Sequence, residues 1–191
     1  MTTSDAQAAI NSIRAIFSRT AEAGWKPDSV VPATDAQIDE WARAQGCEDI
    51  PVAVREVLRV LGTDPGIWLK GSSFGIGRVT PESKNHALAT ISQLDDELFD
   101  SSGMLVMVDH QAYLYNVIDG ADLEDSNPPV WIISEGQPVR IGWPSVTTWL
   151  DSAAPSISDY RSRLKLKRQI GKDVPSWWGK HFDLDRLSSP E

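Results

Sequence analysis

Gly71-Ser72-Ser73-Phe74-Gly75 is the stretch whose spacing most resembles a catalytic motif. In the Gly-x-Ser-x-Gly pattern the serine sits on a tight turn between a strand and a helix, which frees its hydroxyl for a base to activate. Ser73 would be the nucleophile, His110 or His181 the base, and one of several aspartates the group that orients the base. Ile67–Leu69 reads as the strand, but Ile76-Gly-Arg-Val-Thr-Pro81 is a poor helix start. The strand–helix alternation that builds such a sheet is also missing upstream. A serine hydrolase therefore stands only as the alternative from another class, and the leading expectation is a protein that is not an enzyme. His86, His110 and His181 are far apart, without ligand spacing, and His110 reads as an exposed turn residue. Asp119-x-x-Asp122-x-Glu124-Asp125 lacks the spacing of a calcium loop. The single cysteine, Cys47, excludes a disulfide or a cysteine-based zinc cluster within one chain. No metal and no cofactor is expected.

The charge pattern is more informative. From Asn85 to Val139 there is no Lys or Arg, while Asp95, Asp96, Glu97, Asp100, Asp109, Asp119, Asp122, Glu124, Asp125 and Glu135 all fall there. On one folded face these carboxylates would steer a basic protein electrostatically, with on-rates up to ~10⁸–10⁹ M⁻¹s⁻¹ at low salt. Tyr113, Tyr115 and Trp131 lie in the same stretch and are candidate anchors, since buried aromatic side chains dominate many interfaces. The competing reading is a merely solvated acidic surface. The whole chain carries a net charge of −9, and only the segment after residue 155 has an excess of positive side chains. That balance argues against a general nucleic-acid binder, whose phosphate contacts need Lys and Arg.

The elements that must position these residues can be read in order. Ser4 or Asp5 caps a first helix running to about Ala23, with Ile10, Ile13, Phe17 and Ala21 on one face. Thr34-Asp-Ala-Gln37 has the capping-box form and starts a helix bearing Ile38, Trp41, Ala42 and Gln45. Pro51 suits the first position of the next helix, whose stripe is Val54, Val57, Leu58 and Leu61. Gly71–Gly77 reads as a flexible loop, and Pro81 to about Phe99 as helical with a break near Ser92. Met104–Val108, Ala112–Ile118, Val130–Ile133 and a strand through Val139 and Ile141 form an antiparallel meander, with Asp109-His-Gln111 and Glu135-Gly136 as turns. Pro144 starts a short helix through Trp149. From Ser156 a basic helix follows, read as a solvated helix laid on the acidic body, with membrane or nucleic acid as lesser possibilities. No apolar run approaches the length of a membrane span and no signal peptide is evident, so a cytoplasmic protein is expected.

In order, these pieces resemble the SUKH superfamily in its Smi/Knr type. The resemblance is carried by Thr34-Asp-Ala-Gln-Ile-Asp-Glu-Trp-Ala42, Ile50-Pro-Val-Ala-Val-Arg-Glu-Val-Leu-Arg-Val-Leu-Gly62, the hairpin Met104–Asp119, and the Pro-Pro-Val-Trp131 strand leading to Trp149-Leu150. It covers roughly residues 33–151 of a single domain. The helix at 1–24 and the basic, tryptophan-containing segment 155–191 are additions, and Gly62-Thr-Asp-Pro-Gly66 departs from the family's usual Asn-Gly. The resemblance implies an α+β fold, a mainly antiparallel central sheet flanked by helices. It also implies a non-enzymatic protein-binding role, commonly that of a bacterial immunity protein against a toxin, often a nuclease. An intracellular scaffold without a toxin partner is the alternative within that class. The expected partner-binding set is Asp95, Asp96, Glu97, Asp100, Asp109, Tyr113, Tyr115, Asp119, Asp122, Glu124, Asp125 and Trp131; no membrane or nucleic-acid partner is expected, and the oligomeric state is open.

Overall fold

The computed structural model describes residues 3–94 and 98–188. The chain forms α1 (Thr3–Glu22), α2 (Asp35–Ala44), α3 (Val52–Leu61), β1 (Ser73–Phe74), α4 (Pro81–Ile91), β2 (Leu105–His110), β3 (Leu114–Ile118), β4 (Val130–Ser134) and β5 (Gln137–Trp143). It closes with α5 (Val146–Ala153), α6 (Ile157–Gln169), α7 (Trp178–His181) and α8 (Leu184–Ser188). The five strands form one antiparallel sheet in the order β1-β2-β3-β4-β5, so the fold is α+β with a central sheet flanked by helices.

Local chemistry explains the helix starts. Thr34 and Gln37 form the expected reciprocal cap at α2, and Ser145 caps α5 through the Thr148 N–H. Pro51 is the residue just before α3, and the helix after Pro144 begins one residue beyond the Ser145 cap. The expected break near Ser92 is where the helix ends, and the described residues from there to Phe99 are not helical. α4 ends at Ile91, where the hydroxyl of Ser92 takes the Ala89 carbonyl instead.

Register assigns the two faces of the sheet. Tyr115 pairs with Ile133, and Val117 with Trp131, so these residues share one face. α4 covers part of that face, packing on β2 and β4 with Thr90 beside Tyr115. On the opposite face Asn116 receives the Trp149 indole N–H at 3.3 Å, and Phe74 lies 5.9 Å from the Trp149 ring, which seats α5 there. α3 packs beside α5, and α1 lies across both. Met104–Val108 are all buried, as an unbroken apolar strand between two layers of helix must be.

The outer side of β2 is finished by a side chain. β1 pairs only with Val108 and Asp109, leaving Val106 without a strand partner on that side. The Gln45 amide replaces one, accepting from the Val106 N–H at 3.0 Å and donating to its carbonyl at 3.2 Å. The Gln45 carbonyl in turn accepts from the buried Lys84 ammonium at 2.6 Å.

Three expectations are corrected. Ile67–Leu69 is a turn, with Leu69 in the left-handed region at φ 52°; the strand of this region is Ser73–Phe74, inside the glycine-rich stretch. The first hairpin turn is Gln111–Tyr113, two residues later than expected, with Gln111 and Ala112 at φ 54° and 60°, the conformation that matches the sheet's twist. The segment after residue 155 is not laid on the acidic body alone: α6 and α8 pack together, and Trp178, Phe182 and Leu187 join the same core as α1 and α3.

Candidate partner-binding surface

The acidic residues expected to form one patch are divided between the two ends of the sheet. Asp109 and Glu135 lie at the hairpin end with Tyr113, where β2 turns into β3 and β4 into β5. Asp100, Asp119, Asp122, Glu124 and Asp125 lie at the opposite end, in the segments that enter β2 and leave β3, together with Trp131 at the start of β4. Asp95, Asp96 and Glu97 fall outside the described residues.

Two expected contact residues are internal. Tyr115 is fully buried, and its hydroxyl donates to the Ala112 carbonyl at 2.8 Å; burial raises its phenol pKa. Its place in the two-sided strand Leu114–Ile118 removes it from any surface. Asp119 is also fully buried, and its carboxylate accepts from the N–H groups of Phe99 at 2.7 Å, Asp100 at 2.8 Å and Ala121 at 3.1 Å. It is the knot that ties the segment entering β2 to the turn leaving β3. Asp109 is partly spent too, accepting from Ala112 N–H at 2.8 Å in the hairpin.

The remaining acidic end has a defined geometry. Asp100 accepts from the Gly103 N–H at 2.9 Å and the Ser102 hydroxyl at 2.8 Å, and these bonds hold its carboxyl below the usual carboxylate range. A Cβ at Gly120 would stand 2.4 Å from the Asp100 carboxylate, so the close approach requires glycine there. Burial pushes the Asp122 carboxyl up. The Trp131 indole N–H, beside it but without the alignment of a full hydrogen bond, pulls the other way, and the neighbouring Asp119 and Asp125 add to the rise. Next to this, Asp49, Glu124 and Asp125 rim a recess of about 360 Å³ whose floor is Ile50, Pro51, Val52 and Leu123. Phe99 was not singled out in the sequence; it is 84% exposed, with its ring 6.3 Å from that of Trp131.

The serine motif is rearranged. Ser73 lies in β1 opposite Asp109, and it is Ser72 whose hydroxyl meets His110 Nδ1 at 2.8 Å. His110 is half-buried, its ring 5.2 Å from that of Tyr113, rather than a free turn residue. Among the described residues no carboxylate hydrogen-bonds His110, so the orienting member of a triad is lacking. Among the described residues no group of His, Cys, Asp and Glu has the arrangement to hold a metal ion, and no helix is long and apolar enough to cross a membrane.

Fold and surface together define an α+β protein whose sheet presents carboxylates and aromatic side chains at one end. No protein-family profile, curated protein or solved structure matches the chain.

Proposed function

We propose that this protein is a non-enzymatic binding module of the SUKH, Smi/Knr type, acting in the cytoplasm as an immunity protein that neutralises a basic, nuclease-like toxin. The observation that carries the reading is the acidic end of the sheet. Asp100, Asp122, Glu124 and Asp125 gather there beside Trp131, in a stretch of sequence with no Lys or Arg from Asn85 to Val139. Such a surface attracts the cationic groove with which a nuclease holds phosphates, and occupying that groove blocks it. The order of elements adds support: a capped α2, α3 after Pro51, then an antiparallel hairpin and the α5 closure follow the Smi/Knr sequence pattern.

The test is co-expression with the toxin domain encoded beside the gene. Rescue of poisoned cells, with binding that weakens at least tenfold between 50 and 300 mM salt, is the expected result. Failure of both binding and rescue overturns the reading, and salt-independent binding removes its electrostatic basis.

A further inference from the structure

We infer that Phe99, Trp131 and Ile141 form the anchor of a docking surface for a cationic protein segment, which sets an apolar side chain against the two rings and Arg or Lys heads against Asp100 and Asp122. The inference rests on the binding role proposed above and names the part of the surface that performs it.

Single exposed apolar residues need no explanation, but this group is contiguous and rigid. Phe99 is 84% exposed, yet its backbone is fixed, because the buried Asp119 carboxylate holds its N–H at 2.7 Å and that of Asp100 at 2.8 Å. The chain is thus tied in a conformation that keeps a phenylalanine in water, forgoing the burial such a side chain ordinarily gains. The Phe99 ring stands edge-on to Trp131, at 81°. Trp131 is paired in register with Ile141, which is 50% exposed. These positions share the sheet face that α4 covers, but α4 has already ended at Ile91. β5 is also the last strand of the sheet, so the patch runs out to an edge that no further strand among the described residues covers. A fixed aromatic pair beside an open edge loses little entropy on binding, which is what an anchor requires.

The charge around the patch selects the occupant. Asp100 follows Phe99 directly and is held in its ionised form by Gly103 and Ser102. Asp122 adjoins Trp131, and Asp125 adjoins Asp122. Arg140 alternates with Ile141 along β5 and so belongs to the opposite face. A cation is therefore favoured, and an anionic membrane or a nucleic-acid backbone is repelled. A second copy is the one competitor with complementary chemistry, since α6 and its C-cap expose Leu166 and Ile170 among Arg163, Lys165 and Arg168.

The test titrates the blocked peptide Arg-Val-Arg-Val-Arg-Val into ¹⁵N-labelled protein. Saturable shifts at the Trp131 indole N–H and the Ile141 amide are expected. Phe99→Ala should weaken binding at least tenfold without lowering Tm, because the ring is in solvent. Val31→Ala, at an exposed apolar residue beside Asp64 and outside the sheet, should leave binding unchanged. Equal affinity of wild type and Phe99→Ala would overturn the anchor while leaving a purely electrostatic binding surface intact, and absence of shifts at Trp131 and Ile141 overturns the docking site itself. A dimer that Phe99→Ala dissolves assigns the patch to a second copy and overturns the foreign cationic partner. Toxin rescue is read in a separate assay, so a failed anchor and a failed immunity role give different results.

Discussion

At the residue scale, the acidic side chains divide by whether the fold has already used them. Sequence shows an undifferentiated run of carboxylates between Lys84 and Arg140. It cannot show that Asp119 is spent on three backbone N–H groups, because two of the donors, Phe99 and Asp100, approach it only through the chain's return from β3, and only Ala121 is local. The same limit hid Phe99, which looks like one more apolar residue at the end of a helical run; its exposure follows from where α4 stops. Asp122 gives the clearest titration. Burial, with Asp119 and Asp125, raises its pKa in the folded protein, so the folded protein holds that proton more tightly than the unfolded chain does. The cost of its ionisation is fully present above the raised pKa and is relieved as pH falls through it. Asp122→Asn should therefore raise Tm by ~1–2 °C at pH 7, with the gain fading toward pH 3. The same change should weaken binding of a cationic partner. A calorimetric pH series reads the first effect and a titration the second; a fall in Tm at pH 7 contradicts the burial assignment.

At the element scale, what was legible is what local rules dictate. The capping box of Thr34 and Gln37, the stripe Val54, Val57, Leu58 and Leu61, and the alternation along the meander all form as read, because each depends on residues within a turn or two. The short strand was placed wrongly for a related reason. Ile67–Leu69 has strand-like composition, but pairing with β2 falls to Ser73 and Phe74, and long-range register overrides propensity. Gln45 shows the same boundary from the other side. The sequence marks it as one member of the α2 face, whereas the fold uses its amide as a substitute strand for Val106. Gln45→Leu keeps the size and removes both partners, leaving a buried N–H and C=O unpaired at a cost of about 2–4 kcal/mol. Gln45→Glu retains the acceptor and should fall between the two. Urea unfolding measures the loss, and hydrogen exchange at Val106 should accelerate in both variants. Unchanged exchange at Val106 would show that the strand edge is satisfied in another way.

At the scale of the whole molecule, the resemblance covers residues 33–151 and treats both termini as additions, but the packing joins them. Arg14 on α1 reaches the buried Glu56 of α3 at 2.6 Å, and Arg19 pairs with Asp151 of α5. The C-terminal segment then closes on the far end of α1. The Lys26 N–H bonds the His181 carbonyl and the Asp183 N–H bonds the Gly24 carbonyl, both at 2.9 Å. Arg186 caps the Ala21 and Glu22 carbonyls. Phe182 is fully buried, and Trp25 lies in edge contact with Phe17 at 4.8 Å and Trp68 at 5.5 Å. Among the described residues nothing accepts from the Trp25 and Trp68 indole N–H groups, so this cluster is held by apolar packing and depends on staying covered. Ending the chain after Ala154 strips that cover, and the expected product binds a hydrophobic dye, unfolds without a sharp transition and is largely insoluble. Phe182→Ala in the full chain tests the same contact more gently, with an expected loss of about 3–5 kcal/mol in urea unfolding. If the shortened chain instead unfolds cooperatively at the full-length Tm, the segment is an appendage to a self-sufficient core. The basic α6 would then be free to serve a partner of its own rather than to complete the fold.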